Sequence, residues 1–226
     1  MEKYLREEFE AYATECKCAL RTVMARLENL RQETEMSGDR SPFDSLEWRV
    51  KTFDSVIEKC NRKGYELTMD SIKNNIKDIA GVRVVTPFRD DIKIVRDAII
   101  RQPSMTVIDE RNYVEHPKKN GYRSLHLIVF MEIYFMNSSK AIPVEIQIRD
   151  KAMDLWATLE HIVGYKNPKA SPDNLKQFKI IGEILADFDT KAIELRDYAD
   201  NIRGDEFKSV VSQFDQSSNS STKNPL

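Results

Sequence analysis

Two short segments concentrate the side chains that could do chemistry. His116-Pro-Lys-Lys-Asn-Gly-Tyr-Arg-Ser-Leu-His126 packs cations, amide donors, an aromatic face and a glycine into eleven residues. Val144-Glu-Ile-Gln-Ile-Arg149 alternates apolar and functional residues. As a strand, it places Glu145, Gln147 and Arg149 on one face and Val144, Ile146 and Ile148 on the other. An acid, an amide and a guanidinium in register beside a cationic loop suit a charged, planar ligand, and a nucleotide fits that description.

Further candidates stand upstream. Asp78 precedes the β-rich run Ile79-Ala-Gly-Val-Arg-Val-Val85. A carboxylate at a strand end, beside a glycine that admits close approach, suits Mg²⁺, which takes hard oxygen ligands and substrate phosphates. Glu145 is the second carboxylate; a cross-strand ion pair is its structural alternative. Arg83 interrupts the run in phase with Gly81, where a guanidinium can stack on a ring or clamp a phosphate. Arg49, Lys51, Lys59 and Arg62 recur over a stretch read as one helix, whose plainest interpretation is a solvated face. Tyr122 follows Asn120-Gly121 on a turn, its ring free to stack on a base or anchor the core. Lys118, Lys119, Arg123 and His126 complete the loop.

The composition bounds the rest. The 226 residues are 41% hydrophobic and 32% charged, with a net charge of −2. That is a globular chain without the basic field that duplex DNA requires, so phosphates must meet local cations. Neither a leader-type N-terminus nor an apolar run of membrane-spanning length is present. Three cysteines, Cys16, Cys18 and Cys60, argue for buried thiols in a reducing cytoplasm rather than a disulfide framework. With only seven glycines and no Gly-x-x-x-x-Gly-Lys-Ser/Thr or Gly-x-Gly-x-x-Gly loop, side-chain cations must do the work of a phosphate cradle.

These residues need elements to hold them. Apolar steps of three and four predict a helix over 2–35. A second helix is predicted from Phe43 to Lys63, stopped by Gly64, and a short one near 68–77. Strands are predicted at 79–85, 105–109, 124–135 and 141–149, the last two joined as a hairpin through 136–140. That hairpin brings Arg123, Ser124 and His126 beside Gln147 and Arg149. Helices are predicted at 90–101, 151–166 and 172–203, and the Ser/Asn-rich stretch after Gly204 reads as disordered. The fold class is α+β: a mixed sheet of about five strands packed with helices, long helices at both ends. The organisation predicted is an N-terminal helix over 1–42, a central domain over 43–170, a C-terminal helix over 171–204 and a tail over 205–226.

Six segments in order carry a resemblance: Arg49-Val-Lys51, Glu58-Lys59-x-x-Arg62, Asp78-Ile-Ala-Gly-Val-Arg83, Asn120-Gly-Tyr-Arg-Ser-Leu-His126, Val144-Glu-Ile-Gln-Ile-Arg149, and Trp156-Ala-Thr-Leu-Glu-His161 with Tyr165-Lys166. Together they resemble the synthetase domain of the RelA/SpoT family, and most closely the stand-alone small alarmone synthetases of the RelQ type. The resemblance implies a GTP pyrophosphokinase of the stringent response. Such an enzyme moves the β,γ-diphosphate of ATP to the ribose 3′-hydroxyl of GDP, GTP or GMP, making (p)ppGpp-type alarmones and releasing AMP.

It also implies roles. Arg49 and Arg83 would sandwich the adenine, and Lys51, Lys59 and Arg62 would hold the ATP phosphates. Asp78 and Glu145 would bind Mg²⁺, and Glu145 with Gln147 would position or deprotonate the attacking hydroxyl. Tyr122 would stack on guanine with Asn120 close by, while Lys118, Arg123, His126 and Arg149 would serve the guanosine nucleotide. A homotetramer built through the terminal helices is implied, and an alarmone or RNA effector is compatible with it. The hydrolase domain of long family members is not expected.

Two positions depart from the family pattern. Lys119 stands where proline is usual, and Asp150 stands where threonine is usual, putting a negative charge next to Arg149. The competing possibility is a nucleotide- or single-stranded-RNA-binding sensor without catalysis. Retention of both Asp78 and Glu145 argues against it, because binding alone needs no carboxylate pair.

Overall fold

The computed structural model describes residues 2–38, 40–165 and 172–220, excepting the side chains at 2, 164–165, 172 and 203–220. Five strands form one sheet in the order β1 (Ser45–Val50), β2 (Ala80–Thr86), β5 (Ser138–Asp150), β4 (Leu125–Phe135), β3 (Met105–Asn112). β2 and β5 run parallel at its centre and every other pairing is antiparallel. Pro143 of β5 sits just before that strand acquires β2 as a second neighbour, where a missing N–H costs no ladder bond on that side.

One face of the sheet carries the core. Val82, Val84, Leu125, Leu127, Val129, Val144, Ile146 and Ile148 point that way and are buried. They meet Phe9, Leu20, Val23 and Leu27 of α1 (Glu2–Met36), together with α2 (Phe53–Lys63), α3 (Met69–Asn75) and α4 (Asp91–Ile100). Cys16 and Cys60 are buried among them, and all three cysteines are free. Burial first, helped by Glu15 and opposed by the Tyr12 hydrogen bond, pushes the Cys16 thiol up to about 12, as befits an inert core residue.

The opposite face is left open beside α5 (Lys151–Tyr165) and α6 (Pro172–Ser220). A small second cluster of Tyr122, Met153 and Trp156, packed with Phe178, Ile181 and Leu185, ties these helices to the loop before β4. Asp189 is buried on the inner side of α6; burial and then the nearby Asp150 push its carboxyl up to about 7, against the pull of Arg89 and Arg123. No helix among the described residues is long and apolar enough to cross a membrane.

Four expectations change. The single helix predicted over 43–63 is an edge strand followed by a helix. Leu46, Trp48 and Val50 alternate with Glu47 and Arg49, and Thr52 starts α2 by accepting a hydrogen bond from the Ser55 N–H. Gly64 does close α2, with φ of 71°. The third strand extends to Asn112, shortening the polar loop, and a bulge lies between Val107 and Asp109. The hairpin turn is tighter than predicted, since β5 begins at Ser138. Finally, α6 runs past Gly204 to Ser220, where composition predicts a tail. Residues 221–226 lie outside the described residues.

Candidate active site

The open face is organised by two adjacent rows across the sheet. One row reads Glu47, Arg83, Gln147, His126, Arg111 from β1 to β3; the other reads Arg49, Gly81, Glu145, Ile128. Directly paired residues share a face, so strand register alone assembles two acids, an amide, an imidazole and three guanidiniums. Gly81 leaves the floor between Arg49 and Glu145 bare: a Cβ there would meet only the Arg49 carbonyl, at 3.9 Å.

Glu145, His126 and Gln147 form a hydrogen-bonded run. His126 Nδ1 lies 3.1 Å from Glu145 Oε1, and Gln147 Nε2 lies 3.0 Å from His126 Nε2. With Glu145 ionised, Nδ1–H donates to the carboxylate and Nε2 accepts from the Gln147 amide. The run holds the carboxylate at a fixed angle while its side chain stays 23% exposed.

Arg49, Arg83 and Gln147 line two adjoining hollows. The larger, about 790 Å³, is completed by Lys118, Asn120, Tyr122, Arg149 and the α5 residues Trp156, Thr158, Glu160 and His161. The smaller, about 90 Å³, holds Glu145 with Glu47 and Gly81. Arg83 donates to Glu47 at 3.0 Å; burial, then the neighbouring Arg149, hold its pKa below the ordinary arginine value. Another cavity of about 740 Å³, between α4, β3 and α6, is lined by none of the predicted residues, and its Arg96 is already closed onto Glu110 by two hydrogen bonds.

At the start of β2, Asp78 Oδ2 accepts from both Lys51, at 2.8 Å, and Lys59, at 2.7 Å. Burial opposes ionisation of Asp78, but the two lysine hydrogen bonds outweigh it and hold the carboxyl below its ordinary range. Its Oδ1 is buried and lacks a partner, which is what an oxygen awaiting a cation looks like. Among the described residues, no group of three or more His, Cys, Asp and Glu could hold a metal ion. One or two carboxylates are nevertheless enough for Mg²⁺ when phosphates supply the remaining oxygens, so Asp78 and Glu145 fit that ion. Arg62 is exposed in the last turn of α2, one turn beyond Lys59, and lines neither hollow.

The loop at 118–122 is closed by two backbone hydrogen bonds, Lys118 N to Tyr122 O and Gly121 N to Lys118 O. Gly121 permits this with φ of 86°. Asn120 accepts from the Tyr122 N–H and donates to Glu160 of α5. The Tyr122 ring packs against Trp156 at 5.4 Å, and the Lys118 ammonium stands 4.9 Å from the same ring. Burial lowers the Lys118 pKa, partly offset by Glu145 and Glu160.

Two predicted ligands are placed differently. Arg149 lines the larger hollow but is paired with Asp154, Nε to Oδ1 at 2.9 Å. Asp150, suspected of neutralising it, points to the other face and caps α5 by accepting from the Met153 N–H at 2.7 Å. Arg123 turns away from the hollows toward α6. Sequence reasoning assigned no role to Glu47, Asp154 or Glu160, each of which holds a predicted residue in place; Glu47 was detectable, since it alternates with Arg49.

The family model described as "Region found in RelA / SpoT proteins" matches residues 48–170. The GTP pyrophosphokinase YwaC of Bacillus subtilis is 38% identical over 75% of this chain and 82% of its own length. YjbM, a GTP pyrophosphokinase of the same organism, is 33% identical over 84% of this chain and 89% of its own. The crystal structure of small alarmone synthetase 1 from Bacillus subtilis bound to its product pppGpp superposes with a TM-score of 0.78 at 32% identity, covering 85% of this chain and 98% of that one. The family match over more than half of the chain, with relatives and a solved structure more than 30% identical over most of their length, makes this chain a member of the RelA/SpoT family, of the stand-alone small alarmone synthetase type.

Proposed function

We propose that the open face of the sheet carries out the GTP pyrophosphokinase reaction, moving the β,γ-diphosphate of ATP to the 3′-hydroxyl of a guanosine nucleotide with release of AMP. The observation that supports this most is the Glu145–His126–Gln147 run, held between the Arg49/Arg83 pair on one side and the Tyr122 loop on the other. The roles implied by resemblance then acquire physical reasons.

Arg49 and Arg83 stand diagonally on neighbouring strands, able to take a base between two planar cations. Fixing the adenine there sets the register of the triphosphate, so that attack meets the β-phosphorus rather than the γ. Lys51, Lys59 and Arg62 receive the phosphates. Without nucleotide, Asp78 keeps the two lysines compact; with it, the ammonium groups exchange a carboxylate partner for phosphate oxygens. Asp78 and Glu145 would hold Mg²⁺, which neutralises charge developing on the transferred diphosphate.

A ribose hydroxyl is a poor nucleophile near neutral pH, and Glu145 is the group placed to accept its proton. His126 holds that carboxylate in orientation, and Gln147 fixes the imidazole. Tyr122 offers a ring for guanine, with Asn120 at its edge and Lys118 and Arg149 toward the acceptor phosphates. Positioning and charge neutralisation supply most of the acceleration in such transfers.

The experiment is incubation with Mg²⁺, γ-labelled ATP, and GMP, GDP or GTP in turn. Label is expected in a guanosine product. Label confined to ATP and inorganic phosphate would contradict the proposal.

The organisation we propose keeps residues 43–170 as the synthetase domain and uses α5 and the C-terminal helix α6 for a cytoplasmic homotetramer, α1 being committed to the core. Support comes from Leu155, Ile162, Ile184, Phe188, Leu195 and Tyr198, all more than half exposed on α5 and α6. Sedimentation equilibrium should give a tetramer at micromolar concentration; a monomer there would remove the assembly.

A further inference from the structure

Resemblance places Arg123 among the guanosine-nucleotide ligands, but its side chain has other work. Nη1 donates to the carbonyl of Gly121, at 3.2 Å, and to that of Gly182, at 2.9 Å. Gly182 belongs to α6. The two backbones touch there: a Cβ on Gly182 would come within 2.8 Å of the Gly121 oxygen, and one on Gly121 within 3.1 Å of Lys179 Cα. Only a pair of glycines admits that approach. One helical turn earlier, Trp156 Nε1–H donates to the Phe178 carbonyl at 2.9 Å while its ring backs Tyr122. The loop is therefore fastened to α6 directly through Arg123 and indirectly through Trp156 of α5, whose ring backs Tyr122.

We infer that Arg123 is a positioning residue for the guanosine acceptor. Together with the Gly121–Gly182 contact it makes α6 the rear wall of the acceptor site, setting the plane of Tyr122 and the direction of Asn120 without touching the nucleotide. The inference rests on the proposal that Tyr122 receives the guanine. It has a consequence a phosphate ligand would not share. An anchor behind the loop affects every guanosine nucleotide alike, whereas a cation on the acceptor's phosphates matters more as phosphates are added.

Steady-state kinetics with GMP, GDP and GTP separate the two. Arg123→Ala is expected to raise the acceptor KM on the order of tenfold. The factor should be the same for each acceptor the wild type uses, with the KM for ATP within about twofold of normal. Gly182→Ala, which leaves all cations in place, should give the same pattern by pushing the loop off the helix. Arg123→Lys should fall between, because an ammonium keeps the charge and can donate to both carbonyls but lacks the reach and planar rigidity with which Nη1 bridges them. Should Arg123→Ala fail to fold, the other two variants carry the test.

A KM penalty that grows from GMP to GTP would overturn the inference and return Arg123 to the phosphates. Unchanged acceptor KM in Arg123→Lys and Gly182→Ala, or an equal rise in the KM for ATP, would overturn it as well. If the wild type transfers nothing to any guanosine nucleotide, the acceptor assignment itself falls and takes the inference with it, a result visible before any variant is made.

Discussion

Glu145→Gln is expected to lower kcat by about 10²–10⁴, while nucleotide dissociation constants measured by calorimetry stay within a few-fold of wild type. The amide is the same size as the carboxylate, and its oxygen can still accept the hydrogen bond from His126 Nδ1. The sheet around it is buried on its other face and has no reason to shift. What disappears is a group able to take a proton from the ribose hydroxyl and a negative charge able to share in holding Mg²⁺. Loss of kcat with binding retained is the signature of an interaction used in the transition state. Near-normal turnover in this variant would remove Glu145 from the chemistry.

Asp78→Asn should behave differently. Its carboxylate is held ionised, since the hydrogen bonds from Lys51 and Lys59 outweigh the burial that opposes them. Removing the charge leaves two partly buried ammonium groups without their shared anion, and the one oxygen that remains cannot serve both the lysines and a cation at Oδ1. Turnover is expected to fall at least about 10²-fold, and the Mg²⁺ concentration for half-maximal rate to rise on the order of tenfold. Binding of ATP in the absence of Mg²⁺ should not weaken, because the lysines are freed rather than lost. Titration of rate against Mg²⁺, with ATP binding measured in chelator, checks both statements. An unchanged Mg²⁺ requirement would show that Asp78 serves only to hold the lysines.

Strand β5 was legible because period-two alternation is a local signal that survives any tertiary context. Residues 144–149 place their side chains as that pattern demands, and the hairpin brings His126 opposite Gln147. The edge strand β1 was not legible. Its six residues include only one β-branched side chain, Val50, and an edge position leaves Glu47, Trp48 and Arg49 exposed, so the usual apolar run is missing.

The polar partnerships were the least legible. Asp150 adjoins Arg149 in the chain, yet alternation sends it to the opposite face, and Asp154 in the first turn of α5 takes the arginine instead. Lys51 and Lys59 were grouped correctly as cations but for the wrong reason: Lys51 precedes α2 and Lys59 lies within it rather than both on one long helix, and Asp78 brings them together. The pairing of Arg123 with Gly182 spans 59 residues. It depends on where α6 lands, and no local pattern encodes that.

A groove that holds the adenine between Arg49 and Arg83 so as to expose the β-phosphorus is expected to transfer a diphosphate, not a single phosphate. The most direct measurement follows AMP and ADP by chromatography during turnover with a guanosine acceptor, using ATP labelled in the β- and γ-phosphates. AMP should form in equal amount with a guanosine product that carries both labels. Release of ADP, or a product that carries the γ-label alone, would contradict it.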